Sequence, residues 1–236
     1  MYKFLTIASI FFSLIHVSNA SDLIQLNKNT FDELQAIEFE SVDTGYAEFL
    51  SKDLEIFTSN DENFIIGIYQ SKVGSEIIDE PYPYNEYMYI LEGEVLTKTV
   101  DGHNHIYRVG ESFMIPKGWM GDFAITKDLK IIYAVDGINE TENVDANYIV
   151  KINDARVFQY ELGDFEEYSP GESDLTARDL TFFSNKNETF QIGLWESSAG
   201  SVSGSETFHE FMYPLKGSII LTNKNGEQLI TNPGEG

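Results

Sequence analysis

Cysteine is absent and carboxylates outnumber every other ionisable group, so the chemistry open to this chain is that of carboxylates and phenols. Lacking Cys, it has no disulfide, no thiolate nucleophile, no sulfur-ligated zinc and no iron–sulfur cluster. Its histidines are His16, His103, His105 and His209, so a site needing three imidazoles is nearly out of reach. Glu80, Tyr82, Tyr84 and Glu86 fall in one short stretch, and Glu86 is an acid in an apolar run, where it needs a partner. Two carboxylates near one mouth can hold a cation through oxygen, or a polar organic molecule. They can also do acid–base work once burial or a neighbouring charge raises one pKa. The plainer reading of Glu80 is a rim residue of the acidic loop Asp79-Glu80. Tyr89 and Trp119 are candidates to line or cap the mouth. His103-Asn104-His105 sets two imidazoles on one strand face. It adjoins the Asp101-Gly102 turn, where a strand end faces solvent, with a weak surface metal site as the alternative. His209 beside Glu210 reads as a hydrogen-bonded wall residue.

Elements must position these groups, and composition limits which. Over 236 residues, 42% hydrophobic and 14% aromatic content supports a packed core and excludes a disordered chain. Lys+Arg number 15 against 39 Asp+Glu, a net charge of −24 that repels phosphate backbones and anionic lipid. Nucleic acid is therefore not an expected partner. Residues 1–20, MYKFLTIASIFFSLIHVSNA, have a basic start, a short apolar run and small residues before Ser21. This pattern predicts a secretory signal, a secreted or periplasmic protein, and no membrane insertion once the signal is removed. The sequons at Asn139 and Asn187 would matter only in a eukaryotic host.

Comparing the remaining chain with itself reveals a repeat. LIQLN from Leu23 matches IVKIN from Ile149, KDLEIF from Lys52 matches RDLTFF from Arg178, and ENFIIGIYQSKVGS from Glu62 matches ETFQIGLWESSAGS from Glu188. After a two-residue gap, EYMYILEGEV from Glu86 matches EFMYPLKGSI from Glu210, and Gly110-Glu111 matches Gly234-Glu235. The first copy is assigned to residues 21–147 and the second to 148–236, with GINETENVDAN (137–147) as a polar linker. Nothing in the second copy corresponds to FMIPKGWMGDF or KIIYAV, so it is expected to be C-terminally truncated, lacking roughly 35 residues. A partner covering the open edge is the alternative.

Each copy reads as short strands. IIGIYQ, YMYILEG, VLTKTV, SFMIP and KIIYAV are β-branched and aromatic runs, and Asp101-Gly102 is a hairpin signal. Glycine at 93 and 110 is expected where strands reverse, because only glycine reaches positive φ cheaply. Tyr87, Tyr89 and Leu91 alternate with Met88 and Ile90, so this strand is apolar on both faces and buried on both. FDELQAIEFE (31–40) is helical or the start of a strand. The predicted class is all-β, a barrel or double-sheet roll.

EYMYILEGEV followed by RVGESFMIPKGWMGDF resembles the cupin superfamily, in particular the cupin_3 group related to (S)-ureidoglycine aminohydrolase. The resemblance implies a bicupin, two tandem jelly-roll-like barrels, with the second incomplete in this chain. Metal-binding cupins use His-x-His, a Glu and a later His. In the first copy those positions fall on Glu80 and Tyr82, or Asp79 and Pro81, then on Glu86 and Gly121; in the second the first three fall on Gly204 and Glu206, or Ser203 and Ser205, then on Glu210. With the usual histidines missing, no cofactor is expected, and Glu80 with Glu86 is a weak metal alternative within the motif. The ligand-binding candidates are Glu80, Tyr82, Glu86, Trp119, Glu206 and Glu210. The expected role is an exported bicupin that binds a small polar molecule. The alternative is an aminohydrolase-like or other cupin enzyme with a carboxylate-based or metal-assisted site. Exposed sheet edges make a homo-oligomer plausible.

Overall fold

The computed structural model describes residues 23–44, 48–139, 146, 148–168, 174–203 and 208–236. The expected signal (1–20), most of the linker and Glu206 lie outside the described residues. One compact unit lies within Met1–Arg156 and Tyr213–Gly236, and a second within Val157–Met212.

The first unit opens with α1 (Lys28–Ala36), so the ambiguous segment is helical at its start. Its start is set by Asn27, whose side chain accepts the Asn29 N–H at 2.8 Å while Thr30 Oγ1 accepts the Asn27 N–H at 3.2 Å. The helix buries Leu34. Strands β1 (Glu40–Asp43), β2 (Glu48–Thr58), β3 (Phe64–Ser71), β4 (Gly74–Ile78) and β5 (Asn85–Thr99) follow, then β6 (Asn104–Arg108), β7 (Ser112–Ile115), β8 (Gly121–Asp136) and β9 (Val150–Ile152). They form a sheet of order β1-β2-β3-β8-β5-β7-β9, with β4 added to β8 and β6 to β5. The class is all-β, and among the described residues hydrogen bonds do not close the barrel.

The long strands β5 and β8 serve two layers. The first half of β5 pairs with β7 and the end of β8, and its second half pairs with β6 and the start of β8. The change falls at register shifts between Ile90 and Val95. This corrects the expected strand reversal at Gly93. YMYILEG and VLTKTV are one bent strand, because Gly93 (φ 94°) lets the chain kink within the ladder instead of turning back. A Cβ there would lie 2.3 Å from the Asp128 carbonyl oxygen. The bulge also switches the inward set from Glu86, Met88 and Ile90 to Val95, Thr97 and Thr99, all buried. Tyr89 points to the other face and is buried there.

The second unit holds β10 (Glu166–Glu167), β11 (Thr176–Ser184) and β12 (Gln191–Ser197), an antiparallel sheet in that order. Back in the first unit, β13 (Ile219–Thr222) and β14 (Gln228–Thr231) form a hairpin.

Candidate functional site

The site is the inner face of the first unit. Cross-strand partners share a face. Glu86 lies opposite Val135 and Ile115, Met88 opposite Tyr133, and Tyr133 opposite Gly67. Asp53 lies opposite Tyr69, which faces Ile131, and Glu76 lies opposite Phe123. Register therefore puts Asp53, Tyr69, Glu76, Glu86 and Tyr133 on the face that also carries the apolar core cluster.

Glu86 is 4% exposed. The Tyr82 hydroxyl donates to its Oε2, supplying the partner that a buried acid needs. A turn fixes Tyr82 in place. Its N–H donates to the Trp119 carbonyl at 2.9 Å, and its carbonyl accepts the Gly118 N–H at 2.7 Å. The Lys117 N–H donates to Asn85 Oδ1 at 3.0 Å, tying the same turn to the start of β5. Pro116-Lys117-Gly118, which the sequence marks only as a motif, thus clamps the segment that presents Tyr82 to Glu86. Tyr84 packs edge-on to Tyr82, with ring centroids 5.0 Å apart.

Two further carboxyls share this interior. Tyr133 donates to Asp53 Oδ2 at 3.0 Å. Asp53 Oδ1 and Glu76 Oε1 are buried with no hydrogen-bond partner among the described residues. Burial pushes Glu86 up to about 7, with the Tyr82 bond pulling down and the Asp53 and Glu76 charges pushing further up. Asp53 rises to about 7 through burial, against the Tyr133 bond, and Glu76 rises to about 7 through burial alone. Burial first, then the Glu86 charge, holds the Tyr82 hydroxyl well above its ordinary range. At neutral pH this interior holds carboxyls that are part acid, part carboxylate.

The candidates from sequence fall as follows. Tyr82 and Glu86 are brought together. Glu80 is exposed, in the loop before β5. Trp119 is fully buried within the core cluster, and its Nε1 finds no acceptor among the described residues. Glu210 and His209 are exposed residues of the second unit. His103 is exposed, its Nδ1 2.9 Å from Asp101 Oδ2, and His105 is half-buried beside the Tyr107 ring. Asp53, Glu76, Tyr69 and Tyr133 are absent from the sequence-derived set. One signal was available for Asp53, since KDLEIF and RDLTFF keep an aspartate at the same place, Asp53 and Asp179.

Gly67 provides the berth for Tyr133. A Cβ on Gly67 would lie 2.3 Å from the Tyr133 hydroxyl oxygen and 2.4 Å from Cζ. Gly67→Ala is expected to displace that ring, break its bond to Asp53 and cost about 2–3 kcal/mol in urea unfolding. Unchanged stability would show that the ring can be accommodated elsewhere.

Cupin sites commonly hold a divalent metal, and the residues here do not fit one. Of the positions that the resemblance assigns to ligands, Glu86 offers a buried carboxylate, but Glu80 is exposed, Tyr82 is bonded to Glu86, and Gly121 has no side chain to offer. Among the described residues no group of three or more His, Cys, Asp or Glu is placed to share an ion.

Comparison with known proteins agrees with this architecture. Residues 58–133 match the EutQ-like cupin domain, Cupin_3. A protein of unknown function of the DUF861 family from Pseudomonas syringae pv. tomato superposes with a TM-score of 0.63 at 20% identity, covering 77% of this chain and 74% of that one. The EutQ protein of Clostridium difficile is 21% identical over 45% of this chain and 86% of its own, with a TM-score of 0.38. A cupin 2 conserved barrel protein from Leptotrichia buccalis is 15% identical over 87% of this chain and 82% of its own, with a TM-score of 0.43. No curated protein matches the chain. The first of these superpositions and the two-layer strand order agree on the fold, and the matched domain identifies residues 58–133 as a EutQ-like cupin domain of the cupin superfamily.

Proposed function

We propose that the first barrel binds a small polar molecule rich in N–H or O–H donors, with Glu86, Asp53 and Glu76 as its acceptors. The observation that carries this reading is the pair of buried carboxylate oxygens, Asp53 Oδ1 and Glu76 Oε1, that receive no donor among the described residues. A buried acceptor left unpaired costs about 1–3 kcal/mol, which a ligand donor returns on binding. Tyrosines 69, 82, 84 and 133 add flat apolar walls and hydroxyls, the mixture that small-molecule sites use. An amide, a ureide or a small amine matches this lining better than an anion, which the three carboxyls repel. The basic, apolar character of residues 1–20 supports export as the setting in which the molecule is met.

A second reading is favoured by the burial of three carboxyls on one face, which pushes Glu86, Asp53 and Glu76 up to about 7. Carboxyls poised there are suited to general acid–base work on an amide-like or ureide compound, as the resemblance to (S)-ureidoglycine aminohydrolase implies.

Both readings are tested by titrating N-methylurea, acetamide and methylammonium into the protein, following melting temperature and heat. Saturation at a hundred times Kd is expected to stabilise the fold by about 2.7 kcal/mol. Glu86→Gln and Asp53→Asn should each weaken binding about tenfold or more. Consumption of a ureide with release of ammonia would establish the catalytic reading. Absence of binding by all three probes, with the variants indistinguishable from the parent, would overturn the binding proposal.

A further inference from the structure

The repeat is written into the geometry at fine detail. In β2–β3 Asp53 faces Tyr69, with a register shift between Glu55 and Phe57. In β11–β12 the corresponding Asp179 faces Trp195, with a shift between Thr181 and Phe183. The turns of these two hairpins carry Glu62 at φ 56° and Glu188 at φ 57°. Hairpin β5–β6 pairs Val95 with Tyr107 through Lys98 with Asn104, and β13–β14 repeats that register as Ile219 with Thr231 through Thr222 with Gln228. The turn that follows recurs as well. The Glu111 N–H donates to Arg108 O at 2.9 Å, and the Glu235 N–H donates to Asn232 O at 3.0 Å.

Against this correspondence, the leading segments of the two copies have changed places. β9 opens the second copy, yet Ile152 pairs with Ser112 and Val150 with Met114, on the edge of the first copy's β7. The counterpart of Ile152 is Leu26 and that of Ser112 is Gly236. Leu26 and Gly236 exchange both backbone hydrogen bonds, at 2.7 and 2.8 Å. The first copy's leading segment is therefore bonded to the second copy at the equivalent position. Two repeat-related tyrosines meet as well, since Tyr89 and Tyr213 have ring centroids 5.0 Å apart. Beyond β9 the chain is held by the Arg156–Asp154 ion pair, which lies so close over Gly110 that a Cβ there would be 2.0 Å from Arg156 Nη2.

We infer that the two copies are interlocked within one chain by reciprocal exchange of their leading segments, each bonded through its backbone to the other copy. The consequence for the site is direct. β9 adds to β7, and β7 pairs Ile115 with Glu86 of β5. A strand from the second copy thus braces β7, the neighbour of the strand that presents Glu86, and covers an edge otherwise open to another chain. The inference concerns architecture and stands whether or not the barrel binds the proposed ligand.

The absence of natural cysteine makes disulfide trapping in the full chain decisive, because introduced thiols are the only ones present. Paired residues in antiparallel strands have Cα atoms roughly 4.5–5.5 Å apart, within disulfide range. Oxidised glutathione is expected to link Leu26→Cys with Gly236→Cys, and Ser112→Cys with Ile152→Cys, inside single chains. The unexchanged pair, Leu26→Cys with Ser112→Cys, should link at least tenfold more slowly. Faster linking of that pair, failure of both exchanged pairs, or linking only between chains would overturn the inference. Should the variants not fold, amide exchange on the unaltered protein decides. Protection of the Leu26 and Gly236 amides supports the exchange, and exchange at unfolded-chain rates overturns it.

Discussion

Raising the pH from about 4.5 to 8 is expected to destabilise the first unit by a few kcal/mol, the reverse of the usual behaviour of a carboxylate-rich protein. Glu86, Asp53 and Glu76 ionise near 7 when folded, against ordinary values of 4.5, 3.8 and 4.5. Between those limits the folded chain holds more protons than the unfolded one, so stability falls as pH rises. The contribution is fully present below about pH 4 and is lost as pH passes through about 7. One such group considered alone is worth about 3 kcal/mol, and mutual repulsion keeps the three from adding fully. Exposed carboxylates act in the opposite sense at the acid end. Asp101, held down to about 2 by bonds from Thr99 and His103, stabilises only above that range, and weakly, because solvent screens it. Maximum stability is therefore expected near pH 4.5–5.5. Glu86→Gln keeps an acceptor for Tyr82 and removes one titration. It should flatten the fall between pH 5 and 8 and be more stable than the parent at pH 8 by about 1–2 kcal/mol. Urea unfolding at a series of pH values checks both, and a flat profile between pH 5 and 8 would show that these carboxyls reach solvent.

Trp119→Ala is expected to cost about 3–5 kcal/mol, the range for removing a buried large aromatic. Trp119 is fully buried among Tyr82, Phe113, Ile115 and Phe123 of the core, and its carbonyl anchors the Tyr82 N–H. The size of this effect separates packing from ligand contact. A residue lining a mouth would lower affinity on truncation while leaving unfolding nearly unchanged. Trp119→Phe should cost less than half as much, because it retains a ring and removes an indole N–H that has no acceptor among the described residues. Guanidinium unfolding with a constant slope measures it, and a loss below about 1 kcal/mol for the alanine variant would place Trp119 at the surface of a cavity.

Chain chemistry alone determined the all-β class, the repeat, the cupin resemblance and Glu86. These depend on local pattern: alternation, turn glycines and one acid in an apolar run, all readable along a single strand. The partnership of Tyr82 with Glu86 spans only four positions, yet it needs the Pro116-Lys117-Gly118 turn to close on Tyr82 from far along the chain. Asp53 and Glu76 are ordinary acids in sequence. Only cross-strand register brings them onto the face of Glu86, and only burial there raises their pKa values. Gly93 shows the same limit, because a glycine reads identically as a reversal or a bulge until the partner strand is known. The exchange of leading segments was likewise invisible in the aligned repeat. Self-comparison shows which residues correspond, but whether Ile152 or Leu26 lies beside Ser112 is a matter of long-range backbone pairing, which no local pattern encodes.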